Sequence, residues 1–351
     1  MRLAVLNPRG KDPEQAFADF AGAPDDVRHP PVNFHAFAAC TGGGFHRVES
    51  TIPADSPVLL LLRGNLKEAR QSMVDLRRAG KVVVVSLKET GAMQVAELLE
   101  KPARLDLFRE ICERAAGAIA TTEDTVPLYR SAGARAVEFI PTPYPLEDPR
   151  WDFSPEAAAA TKPATAYEDE GAGRREGIFV GTREFHTPSR NHLAALLVLR
   201  SLAESMGQPV TVFNTDGWRG GRLLRRLGYP EGYLKVIEGR RAYPAYLRLL
   251  ARHRLVFQLD ASAVPGQVAG DALLCRTPCI GGNGTVERMS FPGLCGHGRS
   301  VVDLLDLAAR LLDHPHDCVS AGREAVEMAK PRLSYEQGAK FLRQFLVRLG
   351  A

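Results

Sequence analysis

The chain has 351 residues, 45% of them hydrophobic and 25% charged, with a formal net charge of +4. This length exceeds one ordinary core and points to two globular domains. The small charge does not call for a nucleic-acid partner, and no apolar run approaches the roughly 20 residues needed to span a bilayer.

The opening MRLAVLNPRG turns polar too soon for a signal peptide and reads as a first buried strand. In the first half, LAVL (3–6), VLLLL (58–62), KVVVVS (81–86), AIATT (118–122) and VEFIP (137–141) are continuous apolar runs of strand length. Helical patterns lie between them at 65–79, 91–99, 105–116 and 123–132. Alternation of this kind predicts βαβ units and a parallel sheet. Residues 28–50 are less regular, and TGGGF (41–45) reads as a loop.

Residues 146–176 are poor in apolar periodicity, with an Ala run and then YEDEGAGRREG, the composition of a linker. A second alternating series follows: GIFVG (177–181), PVTVFN (209–214), LKVIEG (234–239), LVFQLD (255–260) and TPCIGG (277–282). The run DHPHD (313–317) reads as a solvated turn and not a metal site. The last segment, 334–351, is an amphipathic helix with a capping-box start at Ser334. The six cysteines show no CxxC pair or zinc spacing, so a reducing, cytoplasmic setting is expected.

The most telling stretch is LVFQLDASAVPGQVAGDALLCRTPCI (255–280): strand, small-residue loop, helix start, strand. Such a corner offers backbone N–H groups and a positive dipole end to a phosphate, and Asp271 one turn on could hold ribose hydroxyls. It can equally be a plain strand-to-helix turn.

The order Gly266, Asp271-Ala272, Thr277-Pro278 resembles the nucleotide-sugar signature of GT-B glycosyltransferases, in particular the retaining group with sucrose and glycogen synthases. Gly266 falls on the second glycine of that signature and Asp271 on its ribose-binding acid. Its first acid falls on Ala263, and Arg276 stands where glycine is usual. Further likeness covers AGAIATTEDTVPLYRSAGARAVEFIPTPYP, IFVGTREFHTPSRNHLAALLVLRSL and VIEGRRAYPAYLRLLARHRLVFQLD, as pattern and not identity.

The resemblance implies an α/β protein of GT-B architecture, two Rossmann-like parallel-sheet domains facing across a cleft. It divides the chain into an acceptor domain (1–145), a linker (146–176), a nucleotide-sugar domain (177–333) and a tail helix (334–351) crossing back to the first domain. The implied reaction moves a sugar from a nucleotide-diphosphate sugar, of UDP or GDP type, with no permanently bound cofactor, no metal, and retention. The acceptor is open: a glycan, a lipid-linked or a small molecule, with nucleic acid disfavoured by sparse aromatic residues.

On the donor side it points to Gly181, Arg183 and Arg190 beside the phosphates. Gly266, Gln267 and Val268 would offer backbone N–H groups, Asp271 the ribose contact, and Glu238 and Arg240 the neighbourhood of the base. Thr187-Pro188-Ser189 reads as a helix start, placing Arg190 in a first turn. On the acceptor side the family's histidine is replaced by Ser86, Lys88 and Glu89. Lys88 could donate to a hydroxyl or phosphate, and Glu89 could act as a base if the reaction inverts; both could instead cap the next helix. His35 and His46 are further base candidates.

Basic runs at 66–81 and 216–228 fit either solvated helix faces or peripheral contact with an anionic membrane. Two other activities fit the same signature: a GT-B-fold nucleotide or sugar binder with impaired catalysis, and a nucleotide-sugar epimerase.

Overall fold

A computed structural model describes residues 1–161, 175–181, 185 and 188–351. The chain forms two compact units. Unit 1 comprises Met1–Glu147, Ala263–Pro265 and Lys330–Ala351; unit 2 comprises Asp148–Ser262 and Gly266–Ala329.

The strands of unit 1 are β1 (Ala4–Leu6), β2 (Gln15–Ala16), β3 (Gly44–His46), β4 (Val58–Leu62), β5 (Val83–Leu87), β6 (Gly117–Ala120) and β7 (Val137–Phe139). Those of unit 2 are β8 (Ile178–Val180), β9 (Val210–Asn214), β10 (Leu234–Glu238), β11 (Leu255–Gln258) and β12 (Cys279–Gly281). The helices are α1 (Phe34–Ala39), α2 (Leu66–Arg78), α3 (Ala92–Leu99), α4 (Pro102–Arg114), α5 (Val126–Ser131), α6 (Pro155–Thr161) and α7 (His192–Met206). They continue as α8 (Gly217–Arg225), α9 (Tyr243–Leu250), α10 (Gln267–Leu274), α11 (Thr285–Ser290), α12 (Val301–Asp313), α13 (Pro315–Leu333) and α14 (Tyr335–Arg348).

In unit 1 the sheet order is β2-β3-β1-β4-β5-β6-β7, parallel except for β2 against β3. VLLLL is buried at every position because both faces of β4 are covered. Leu60 and Leu62 face a core shared with Met73 and Leu76 of α2 and Phe108 and Ile111 of α4. Leu59 and Leu61 face the other, which Leu342, Phe345 and Leu346 of α14 help to close. The tail helix thus covers one face of the first sheet.

In unit 2 the order is β10-β9-β8-β11-β12, all parallel. The chain runs outward through β8, β9 and β10, then returns to lay β11 on the other side of β8. In such a sheet, ligands bind beyond the carboxyl ends of the strands where the winding reverses. Here that is the pair β8 and β11. Both units are Rossmann-like domains built on a parallel sheet.

Three local features differ from the sequence reading. Residues 28–50 contain α1 and β3; every residue of α1 is buried, so it carries no polar face by which a helix is recognised. DHPHD is a tight joint in which α12 ends at Asp313 and α13 begins at Pro315. Within 146–176, residues 148–161 belong to unit 2: Trp151 is buried and the Phe153 N–H donates to the Leu274 carbonyl. Among the described residues, no helix is long and apolar enough to cross a membrane.

Candidate functional site

At the reversal in unit 2, Gly181 directly follows β8, and β11 leads through 259–266 into α10. A Cβ on Gly181 would fall 2.1 Å from Cγ1 of Val268 and 3.1 Å from Cγ1 of Val256. Only glycine lets the strand end lie this close to the first turn of α10. Gly266 is the N-cap of that helix, with φ of 93°, and a Cβ there would meet the Glu287 Oε2 at 2.1 Å. The structure therefore brings Gly181, Gly266, Gln267 and Val268 together. The first N–H groups of an α-helix have no acceptor within it, so this corner suits an anion by its backbone.

Arg190 closes the same place, but not from the expected position. It ends a short 3-10 turn, Pro188–Arg190, and left-handed Asn191 (φ 53°) separates it from α7. Arg190 thus precedes the helix and does not sit in its first turn. Its Nη1 donates to Oδ2 of Asp260, a residue 5% exposed. The other Asp260 oxygen accepts from the Ser262 backbone N–H at 2.8 Å and from the Ser262 hydroxyl. Asn191 Nδ2 donates to the Leu259 carbonyl at 2.9 Å, tying this turn to the end of β11. Arg190 is thus a guanidinium whose charge Asp260 offsets, fixed at the corner. Burial and the neighbouring Arg190 lower the pKa of His192 to about 4, so that ring is neutral. Arg183 lies outside the described residues.

Asp271 sits in the second turn of α10, buried, its Oδ1 accepting from the Tyr243 hydroxyl at 2.5 Å. Glu238 and Arg240 are exposed at the end of β10, on the edge of the sheet. The Glu238 Oε2 accepts from Asn214 Nδ2 at 2.8 Å. All these groups share the carboxyl edge of one sheet, with Glu238 and Arg240 two strands from the reversal.

Glu287 was not singled out from sequence. It lies on α11, just beyond β12, and is buried. Its Oε1 accepts from Gln258 Nε2 at 2.8 Å, while Oε2 has no hydrogen-bond partner among the described residues and lies against Gly266. Gly282 closes on the same carboxyl, where a Cβ would stand 2.9 Å from Oε1. Burial pushes its pKa up to about 7, and nearby Asp260 acts in the same direction; its own backbone N–H, then Gln258 and Arg190, only partly oppose this. The one hint in the sequence is the glycine-rich turn GGNG (281–284) directly before it.

In unit 1, a polar group gathers at the carboxyl ends of β1 and β5. Lys88 Nζ pairs with Asp12 Oδ2 at 2.5 Å, and Asn7 Nδ2 donates to the same oxygen at 3.3 Å. Burial would raise the Asp12 pKa, but the bond and charge of Lys88, helped by His35 and His29, bring it below the ordinary value. Among the described residues, the buried Asn7 Oδ1 and Thr90 Oγ1 have no hydrogen-bond partner. His35 is stacked between His29 and Phe45, with ring centroids 3.7 Å away on each side. Burial lowers its pKa to about 2, with His29 adding to the effect, so it is a neutral ring. Lys88 and His35 are thus neighbours of one cluster. Glu89 is exposed, and His46 Nδ1 is bonded to the Thr51 hydroxyl at 2.9 Å. Among the described residues, no group of three or more His, Cys, Asp or Glu is placed to hold a metal ion.

No family model matches the chain, and no curated protein matches it in sequence. Solved structures do match in fold. An α,α-trehalose 6-phosphate synthase from Burkholderia multivorans superposes with a TM-score of 0.61 at 10% identity, over 90% of this chain and 75% of that one. A trehalose-6-phosphate synthase studied with bisubstrate glycomimetics for glycosyltransfer with retention matches at 0.61 and 10% identity, over 100% and 99%. The TarM G117R mutant of S. aureus, in complex with fondaparinux, α-GlcNAc-glycerol and UDP, matches at 0.59 and 12% identity, over 90% and 59%. These likenesses establish what the strand orders already indicate: the chain has the GT-B fold.

Proposed function

We propose that the protein is a glycosyltransferase that moves a sugar from a nucleotide-diphosphate sugar to an acceptor. In this reading unit 2 binds the donor and unit 1 the acceptor. The observation that carries it is the Gly181–Gly266 corner at the reversal of the second sheet, where glycine lets the strand end pack directly against Val268 in the first turn of α10. The leaving diphosphate develops negative charge, and fixed dipoles and donors aimed at that charge lower the barrier. The α10 start supplies the dipole. Arg190, its charge offset by Asp260, supplies directed N–H donors and little net charge. Gln267 and Val268 would offer their N–H groups to the distal phosphate, Asp271 would face the ribose, and Glu238 and Arg240 would flank the base.

On the acceptor side, Lys88 and Asp12 would orient a hydroxyl, and Asn7 Oδ1 and Thr90 Oγ1 are acceptors that such a hydroxyl could satisfy. His35, neutral through the physiological range, would serve as a ring surface and not as the base. A reaction without a strong protein base fits retention, with the departing phosphate taking the acceptor proton on the same face. UDP is the first donor nucleotide to test, because the TarM structure contains UDP and a further structure of this fold is an α,α-trehalose-phosphate synthase (UDP-forming) from Burkholderia vietnamiensis. We place the protein in the cytoplasm, where its six buried, unpaired thiols would persist.

The test is thermal-shift screening against UDP, GDP, ADP and dTDP, free and sugar-linked, followed by a transfer assay with the stabilising donor. Stabilisation by a nucleoside diphosphate and release of its sugar to an acceptor are expected. Binding without transfer would favour the catalytically impaired binder that Ala263 suggests. An isomerised donor without acceptor would point to an epimerase, and no nucleotide effect would overturn the reading.

A further inference from the structure

Glu287 poses a specific problem. Its carboxyl is buried where two glycine corners converge, Gly266 at the start of α10 and Gly282 at the end of β12. Gln258 satisfies one oxygen; the other has no hydrogen-bond partner among the described residues and lies directly against the N-cap of α10. Among the described residues, the cation that acts on it is Arg190, which already pairs with Asp260. Cys279 on β12 brings no positive charge either: it is a buried thiol whose own pKa is pushed up by burial and by Glu287. Among the described residues, an ionised Glu287 would therefore be a buried charge with no cation of its own, beneath the place where a diphosphate would sit.

We propose that Glu287 is a positioning residue for the donor diphosphate: it supports the α10 start as a neutral acid, and the nucleotide binds the protein whose Glu287 carries its proton. This rests on the donor reading of the corner given above. Two effects follow from one geometry. The protonated side chain packs under Gly266 and holds Gln258, so the helix start keeps its shape. Ionisation would place a negative charge under that helix start and cancel part of the dipole that attracts phosphate. By linkage, a bound diphosphate must in turn strengthen the hold of Glu287 on its proton. Affinity therefore falls as pH rises through neutrality, and falls because of this one group.

The experiment is calorimetric titration of the full chain with UDP, and in parallel with GDP and ADP, at about pH 6 and about pH 8.5, for wild type and Glu287→Gln. Glutamine keeps the shape and the neutral state but cannot ionise. The nucleotide's terminal phosphate titrates equally in both proteins, so the ratio of their Kd values isolates Glu287. At about pH 6 the two should bind alike. At about pH 8.5 the variant should bind about tenfold more tightly than wild type, the effect of a change of about one in the pKa of Glu287 on binding. A ratio that does not change with pH overturns the assignment while leaving the donor reading intact. Failure of wild type to bind any of the three at about pH 6 overturns the donor reading and the assignment with it. Should the variant fold poorly, wild type alone decides with UDP-glucose, whose diphosphate does not titrate near neutrality: repeating the titration near pH 7.5 in buffers of different ionisation enthalpy should show proton uptake on binding. Zero uptake overturns the proposal.

Discussion

The free carboxyl oxygen of Glu287 occupies the space that a side chain on Gly266 would need, 2.1 Å from where its Cβ would fall. Gly266 also holds a φ of 93°. Gly266→Ala should therefore lose about 2–4 kcal/mol, combining left-handed strain with overpacking. Thermal melting would report the loss, and nucleotide titration should show binding weakened well beyond what the lower stability explains. A variant as stable as wild type would show that the corner is looser than the geometry implies.

The titration of Glu287 should also appear in stability without any ligand. Its carboxyl has an ordinary value of 4.5 and a folded value of about 7. Below the ordinary value both folded and unfolded chains hold the proton, and Glu287→Gln should melt close to wild type. As pH rises between the two values the unfolded chain alone releases the proton, so wild-type stability declines. Above the folded value the full cost, roughly 3 kcal/mol, is present in wild type and absent from the variant. The melting temperature of the variant should thus exceed that of wild type at about pH 8.5 and match it at about pH 4.

Arg190 and Asp260 form a pair in which the acid is 5% exposed. Arg190→Met would strand that carboxylate and should cost about 3 kcal/mol, with Asp260→Asn relieving much of the loss in the double variant. A double-mutant cycle by chemical denaturation checks this. Additive losses would mean that the pair contributes nothing as a pair.

On the acceptor side, Lys88→Met should raise the acceptor KM at least about tenfold while leaving the nucleotide Kd unchanged. His35 should contribute no limb to the pH–rate profile near its ordinary 6.5, because burial and His29 hold its pKa at about 2. Equal loss of donor binding in the Lys88 variant would assign that residue a structural role.

How much of this was legible depends on the kind of signal each feature leaves. VLLLL at 58–62 reads as a doubly covered strand in sequence and is one in the structure. The same holds for PVTVFN and LVFQLD in the second unit, with strand ends within a residue or two. The Gly266 corner was readable because a helix start that must approach a neighbour closely requires glycine. α1 was not, since a helix buried on every side has no periodicity to display.

What the chain by itself determined is the alternation of buried strands and helices in two series and the glycine-bearing turn at 266. Both are local, written in apolar runs and in residues that only one backbone geometry tolerates. Tertiary structure decided which charges meet. Arg190 is held by Asp260, 70 residues away, and Glu287 lies beneath Gly266 from the following strand's corner. No spacing encodes those pairings: they arise only when parallel strands align their carboxyl ends, and their energies depend on burial that no single segment provides.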